Sequence, residues 1–297
     1  MSGANPIHGI RRDDAVTVAI LTRDAGPLLA RVLEAVSAQE TPRRVDVLAV
    51  DSGSTDDTLD TLRKHDARVV NVPPGEFDWG RTRDLAYREA QTPVIVNLSQ
   101  DAVPAHNQWL ENLIAPLADP AAGASCGPSR PDPERGFRQF PWERNGYFYF
   151  TREIRRFVAR HGRGLSFANS AVPRAVWEQL GLDPQPIGED FQFQIKLRAA
   201  GLNIAFPEDA PVLHHHNYPL GRLYLRCRNE GLALRHLGCP YSEWDLARDL
   251  ASLPKYVQWL RELCRGDLRA PADFVYPALR PLAVYVGSRF ARRHVWR

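Results

Sequence analysis

The groups able to do chemistry gather in a few short stretches. Thr22-Arg23-Asp24, Asp51-Ser52-Gly53-Ser54, the run from Asp78 to Arg83, and Ser99-Gln100-Asp101 carry hydroxyl, carboxylate and guanidinium groups. Glu189-Asp190 and His214-His215-His216 follow much later. Carboxylate oxygens are the donors Mg²⁺ and Mn²⁺ accept, and an imidazole shifts the balance toward Mn²⁺. Guanidinium groups suit phosphate, and a carboxylate held at a helix start can take a proton from a hydroxyl. On an extended segment His214 and His216 share a side while His215 faces away. No Gly-x-Gly-x-x-Gly follows the first apolar run, which argues against a dinucleotide enzyme. A phosphate-binding Gly-x-x-x-x-Gly-Lys-Ser/Thr and a Gly-x-Ser-x-Gly elbow are also missing.

The elements that must position these groups alternate in type. Val16–Leu21, Val45–Val50, Ala67–Val72 and Pro93–Leu98 are short, β-branched apolar runs and read as strands. Helical spacing recurs after Gly26-Pro27, in a segment that Thr55 can cap, from Gly80 to Ala90, and from His106 to Leu117. Apolar strands separated by single helices predict a mostly parallel sheet covered on both faces, with ligands at its carboxyl edge. The four polar stretches fall at those strand ends, as the lining of one cleft would. From Pro128 to Arg163 the pattern gives way to an irregular, arginine- and aromatic-rich stretch. Helices around Arg174–Leu180 and Phe191–Ala200, a short strand near Asn203–Phe206, and a helical remainder from Pro219 complete the reading.

Composition narrows the class. The chain has 297 residues, 44% hydrophobic and 25% charged, which excludes a disordered chain and a disulfide miniprotein. A net charge of +3 is far below that of a dedicated nucleic-acid binder, so no nucleic-acid partner is expected. Four cysteines without a Cys-x-x-Cys pair read as free thiols. No apolar run reaches membrane-spanning length, and Met1–Asp14 does not read as a targeting segment. The expected compartment is the cytoplasm.

The order of these motifs resembles the inverting, nucleotide-sugar-dependent glycosyltransferases of the GT-A fold, in the large family 2, and especially their bacterial rhamnosyltransferase branch. Val50–Asp56 is similar to the family's base-binding loop, Glu76–Arg83 to the branch's Phe-Asn-His-Gly-Gly-Thr-Arg stretch, and Ser99-Gln100-Asp101-Ala102 to its Asp-x-Asp. Phe167–Ala171, Gly188-Glu189-Asp190 and His214-x-His216-Asn217-Tyr218 complete the series. Ser99 replaces the first carboxylate of Asp-x-Asp, Trp79 stands where the branch commonly has histidine, and Asp84 where asparagine is usual.

The resemblance implies an α/β, Rossmann-like GT-A fold, a mostly parallel sheet flanked by helices with a helical C-terminal extension. The expected division is a tail (1–14), a catalytic domain (15–218, with a nucleotide-sugar half to about 127 and an acceptor half beyond it) and the extension (219–297). It implies sugar transfer, with rhamnose as the sugar, from a dTDP- or UDP-type donor to a glycan or lipid-linked acceptor. Thr22, Arg23, Asp24, Asp51, Ser52, Arg83, Gln100 and Asp101 would contact the donor. Asp101 and His214 would ligate Mn²⁺ or Mg²⁺. Asp190 is the implied base, with Glu189 the competing carboxylate, and a helix N-terminus would by itself lower the pKa of Asp190. Asn169, Trp142 and His216 would face the acceptor. Two rival readings stay open: a nucleotidyltransferase or metal hydrolase on a similar sheet, and a non-catalytic nucleotide-sugar-binding module. The arginine- and aromatic-rich segment Tyr276–Arg297 fits either a helix packed on the catalytic domain or peripheral contact with the inner face of a membrane.

Overall fold

The structure, a computed structural model, describes residues 11, 14–133, 149–214 and 218–294. The strands are β1 (Val16–Thr22), β2 (Val45–Asp51), β3 (Arg68–Asn71), β4 (Val94–Ser99), β5 (Val103–Pro104), β6 (Ala122–Cys126), β7 (Ser129–Arg130), β8 (Asn169–Pro173), β9 (Asn203–Ala205) and β10 (Val212–Leu213). The helices are α1 (Leu28–Ser37), α2 (Thr58–Lys64), α3 (Trp79–Glu89), α4 (Trp109–Ile114), α5 (Arg152–His161), α6 (Arg174–Leu180), α7 (Glu189–Ala199), α8 (Leu220–His236), α9 (Glu243–Leu250), α10 (Leu253–Cys264) and α11 (Pro271–Phe290). The chain divides into two compact units, and 149–164, 185–188 and 218–294 belong to the second.

The first unit is built on a seven-stranded sheet in the order β3-β2-β1-β4-β8-β6-β9. Its strands run parallel except β8, which pairs antiparallel with both β4 and β6. β1 and β4 are almost wholly buried, as their mostly apolar runs require for strands covered on both faces. Register then fixes the site. Thr22 pairs with Asp51 and Leu21 with Ser99, so three strand ends finish level with one another. Because β8 runs the other way, its first residue, Asn169, pairs with Leu98 at that same edge. A second, three-stranded sheet, β5-β10-β7, lies beyond it, with β10 antiparallel to β5.

The sequence pattern does not mark every strand. β6 reads Ala-Gly-Ala-Ser-Cys, too small and too short of branched residues to register as one. Packing explains the choice: a Cβ on Gly123 would lie 2.6 Å from Leu197 on α7, so only small side chains let the helix sit against the strand. Thr55 does not cap α2 as expected. The helix starts at Thr58 with Asp57 at its N-cap, and Thr55 donates its N–H and hydroxyl to Asp24 instead.

The second unit is helical, and the charged segment expected to be irregular contains α5. α8 and α11 touch at main-chain distance: a Cβ on Gly287 would lie 1.8 Å from the Arg228 carbonyl oxygen. α9 opens with a capping box, Ser242 and Asp245 each accepting the other's main-chain N–H. Among the described residues no helix is long and apolar enough to cross a membrane.

Candidate active site

Two loops at the carboxyl edge are stitched into one surface. The Asp51 carboxylate is 1% exposed. It accepts the Thr22 hydroxyl (2.9 Å), the Gly53 and Ser54 N–H groups (2.9 Å each) and the Ser54 hydroxyl. Ser52 returns its N–H and hydroxyl to the Thr22 carbonyl (3.0 and 3.2 Å). Asp24 sits at a positive φ of 43°, where a short side chain that bonds locally is tolerated, and its carboxylate accepts the Thr55 N–H at 2.7 Å. Thr22, Asp51 and Ser52 thus spend these groups on one another and set the loop's shape, while the Arg23 and Asp24 side chains are exposed. Gln100 clips this loop to the end of β4, accepting the Arg23 N–H (2.9 Å) and donating to its carbonyl (3.3 Å).

Asp101 and His214 come together. β10 pairs with β5 so that Leu213 lies opposite Val103, and the next residues outward place His214 Nε2 3.3 Å from Asp101 Oδ1. The His214 N–H donates to the Arg130 carbonyl (3.0 Å), fixing the chain as it leaves the strand. Two donors each about 2.1 Å from a cation, on one edge of its octahedron, stand about 3 Å apart, so this oxygen–nitrogen pair fits a divalent ion. Among the described residues no third His, Cys, Asp or Glu joins them.

Glu189 and Asp190 form the first turn of α7 rather than preceding it. Asp190 is half-buried and accepts the N–H of Phe191 (2.8 Å) and a main-chain bond from Phe167. Burial raises its pKa above the ordinary value, outweighing these bonds and the nearby Arg83 charge. The lowering expected from the helix start does not prevail, and the carboxylate is the better base for it. Glu189 is buried, and burial first, then the Asp190 charge, pushes its pKa up to about 7 against the pull of Arg83. Next to Phe167, the Ala168 carbonyl accepts the Ser99 N–H (3.1 Å), so one stretch of main chain ties the carboxylate on α7 to the loop that carries Asp101.

Arg83 is 4% exposed. It lies 3.5 Å from Glu189 and reaches Asn97 Oδ1 at 3.5 Å, with its guanidinium carbon 5.2 Å from the centre of the Phe167 ring. In this conformation it is the counter-charge of the paired carboxylates. Asn169, expected to face an acceptor, is 1% exposed and turned inward. Its Oδ1 accepts the Trp109 indole N–H (3.0 Å), and its Nδ2 donates to the Ala210 carbonyl (2.9 Å). It braces the edge of the sheet because both ends of its amide are used inside the fold. Trp142 and His216 lie outside the described residues.

Residues 17–181 match the family described as Glycosyl transferase family 2. The chain belongs to that family. It is 30% identical over 213 residues to the O-antigen chain rhamnosyltransferase RfbN of Salmonella typhimurium, covering 68% of this chain and 67% of that protein. It is 28% identical over 189 residues to WbaN of Salmonella anatum, also an O-antigen chain rhamnosyltransferase, covering 61% and 59%. Among solved structures, the mannosyltransferase PcManGT from Pyrobaculum calidifontis, in complex with GDP-Man and Mn²⁺, has a TM-score of 0.64 at 21% identity, covering 95% of this chain and 88% of that one. Glucosyl-3-phosphoglycerate synthase from Mycobacterium tuberculosis, in complex with Mn²⁺, UDP and glucosyl-3-phosphoglycerate, has a TM-score of 0.55 at 20% identity, covering 77% and 82%. The fold is therefore GT-A, and the chain is a sugar-transferring enzyme.

In this glycosyltransferase the paired carboxylates also connect to groups the motifs did not mark. Asn97, fully buried in mid-strand, donates to the Tyr87 hydroxyl (2.7 Å) and to Ser170 Oγ (3.2 Å). Burial lifts the Tyr87 phenol well above its usual range, so it stays neutral. The line Glu189–Arg83–Asn97–Tyr87 runs from the paired carboxylates into the sheet. A lone asparagine inside Val-Ile-Val-Asn-Leu-Ser was its one trace in the sequence.

Proposed function

We propose that the chain transfers rhamnose, with inversion, from a dTDP-type nucleoside diphosphate to a lipid-linked or glycan acceptor of the O-antigen kind. The observation that carries this reading is the Asp101–His214 pair at 3.3 Å, on the strand edge where a parallel sheet presents its ligands. The names of the two rhamnosyltransferase relatives support the sugar and the acceptor class.

Asp101 and His214 would hold Mn²⁺ or Mg²⁺, leaving its other positions to diphosphate oxygens and water. When bound, such an ion supplies the positive charge that the departing diphosphate needs. The stitched loops around Asp51 and Asp24 offer a rigid rim for the nucleoside, with the exposed Arg23 at its lip. Asp190 would take the proton of the acceptor hydroxyl as that oxygen bonds to the anomeric carbon. The bond from that carbon to the diphosphate oxygen breaks, and the diphosphate leaves with the electron pair. Glu189, with a pKa near 7, keeps the second carboxyl largely protonated below neutrality, and Arg83 offsets the charge of the pair.

Asp190→Asn tests the reading. The amide oxygen can still accept the Phe191 N–H, so fold and donor affinity should be retained. Loss of the base should cut kcat by roughly 10²- to 10⁴-fold. A variant that turns over within about threefold of wild type would remove Asp190 from the mechanism.

A further inference from the structure

α10 is packed inside out. At 100° per residue, Leu253, Val257, Leu260 and Cys264 fall within about 60° of one another on one side of the helix. All four are exposed, Leu253 to 72% and Leu260 to 50%. The opposite side carries Lys255, Gln258 and Glu262, and those are the buried residues of the helix. Each is held by specific bonds. Lys255 Nζ donates to the carbonyls of Asp249 and Pro277, Gln258 donates to Glu262 (3.1 Å), and the Tyr149 hydroxyl donates to Glu262 Oε2 (2.7 Å). α9 repeats the arrangement, burying Asp245 and Asp249 while Trp244 is 76% exposed.

A globular domain ordinarily buries the apolar side of such a helix, because leaving it in water forfeits the main favourable contribution to folding. Here polar bonds pin the inward side, and the leucines add nothing to the core. The charge around them indicates what they meet. Between Glu243 and Arg293 seven arginines are exposed and one acid, Glu243; the other acids of that span are buried or half-buried. Arg261 lies beside the apolar stripe on one side, and the exposed Arg265 follows at the C-cap of the helix. An apolar stripe one helix wide, with exposed cations along one side and at its C-terminal end, is the pattern of a helix that lies in the headgroup layer of an anionic bilayer.

We propose that α10 is a membrane-surface docking helix, seating Leu253, Val257 and Leu260 among acyl chains with Arg261 and Arg265 on anionic headgroups. The contact is peripheral and reversible. It goes beyond the transferase reading and does not depend on it, since it involves no group of the candidate active site.

Sedimentation with vesicles tests it on the full chain, using phosphatidylglycerol and phosphatidylcholine at 1:1, phosphatidylcholine alone, and low and high salt. Wild type should bind the mixed vesicles at low salt at least about tenfold more tightly than the neutral ones, and lose that preference as salt screens the arginines. Leu253→Ser/Leu260→Ser should weaken binding to the mixed vesicles at least about tenfold with the melting temperature unchanged, and Val257→Asn should act in the same direction. Arg261→Gln/Arg265→Gln should weaken binding and flatten its salt dependence. Absence of wild-type binding at low salt overturns the proposal, as does a leucine variant that binds like wild type. A wild-type dimer in light scattering that Leu253→Ser/Leu260→Ser turns into a monomer also overturns it, by assigning the stripe to a second copy of the chain.

Discussion

Replacing Glu189 by glutamine should change how stability depends on pH. In the folded chain burial and the neighbouring Asp190 raise the Glu189 pKa from 4.5 to about 7. A carboxyl whose folded pKa lies above its unfolded one binds its proton more tightly when folded. Its contribution is therefore fully present below about pH 4.5 and is lost as pH rises through about 7. A displacement from 4.5 to about 7 corresponds to about 3 kcal/mol across that window, at 1.36 kcal/mol per unit. The proton belongs to the Glu189–Asp190 pair, so the titration is that of the pair. Glutamine keeps the side-chain volume and has no proton to lose. Urea unfolding of wild type and Glu189→Gln, measured in parallel from pH 5 to pH 8, should show wild type losing up to about 3 kcal/mol more than the variant over that range. Parallel curves would mean that Glu189 is ionised and solvated in the folded state, and the paired-carboxylate description of the site would fall.

Asp51→Ala should lower stability by roughly 2–4 kcal/mol, because the Thr22 hydroxyl and the Gly53 and Ser54 N–H groups lose a charged acceptor in a buried loop. Thermal melting checks this, and a shift too small to measure would show that the loop does not depend on that carboxylate. Gly287→Ala should destabilise the helical unit by at least about 2 kcal/mol, since its Cβ would have to push back the Arg228 carbonyl 1.8 Å away. Hydrogen exchange in α8 and α11 should accelerate in that variant while exchange in the seven-stranded sheet stays as it was.

Much of the first unit was legible because β1, β2 and β4 are predominantly apolar, β-branched runs and buried parallel strands need such runs. β6 and β8 were not, since one is made of small residues that let α7 approach and the other, Asn-Ser-Ala-Val-Pro, begins with polar groups bonded inside the fold. β5 and β10 have two residues each, too few for any period, yet their pairing is what joins Asp101 to His214. Motif order found both residues of that pair and both carboxylates on α7. It could not reveal that Asn169 faces inward, because its partners Ala210 and Trp109 are brought to it by the fold alone; the partners of Asp51 at Gly53 and Ser54 are local, and the fold adds Thr22. In α10 both stripes are visible in the sequence, but only packing decides that the polar one is inside.

Binding of dTDP with and without Mn²⁺, by isothermal titration, tests the Asp101–His214 metal pair without an acceptor. Mn²⁺ should tighten dTDP at least about tenfold in wild type, and the gain should disappear in both Asp101→Asn and His214→Ala while binding of dTDP alone is unchanged. An equal gain in either variant, or no gain in wild type, would contradict metal binding by that pair.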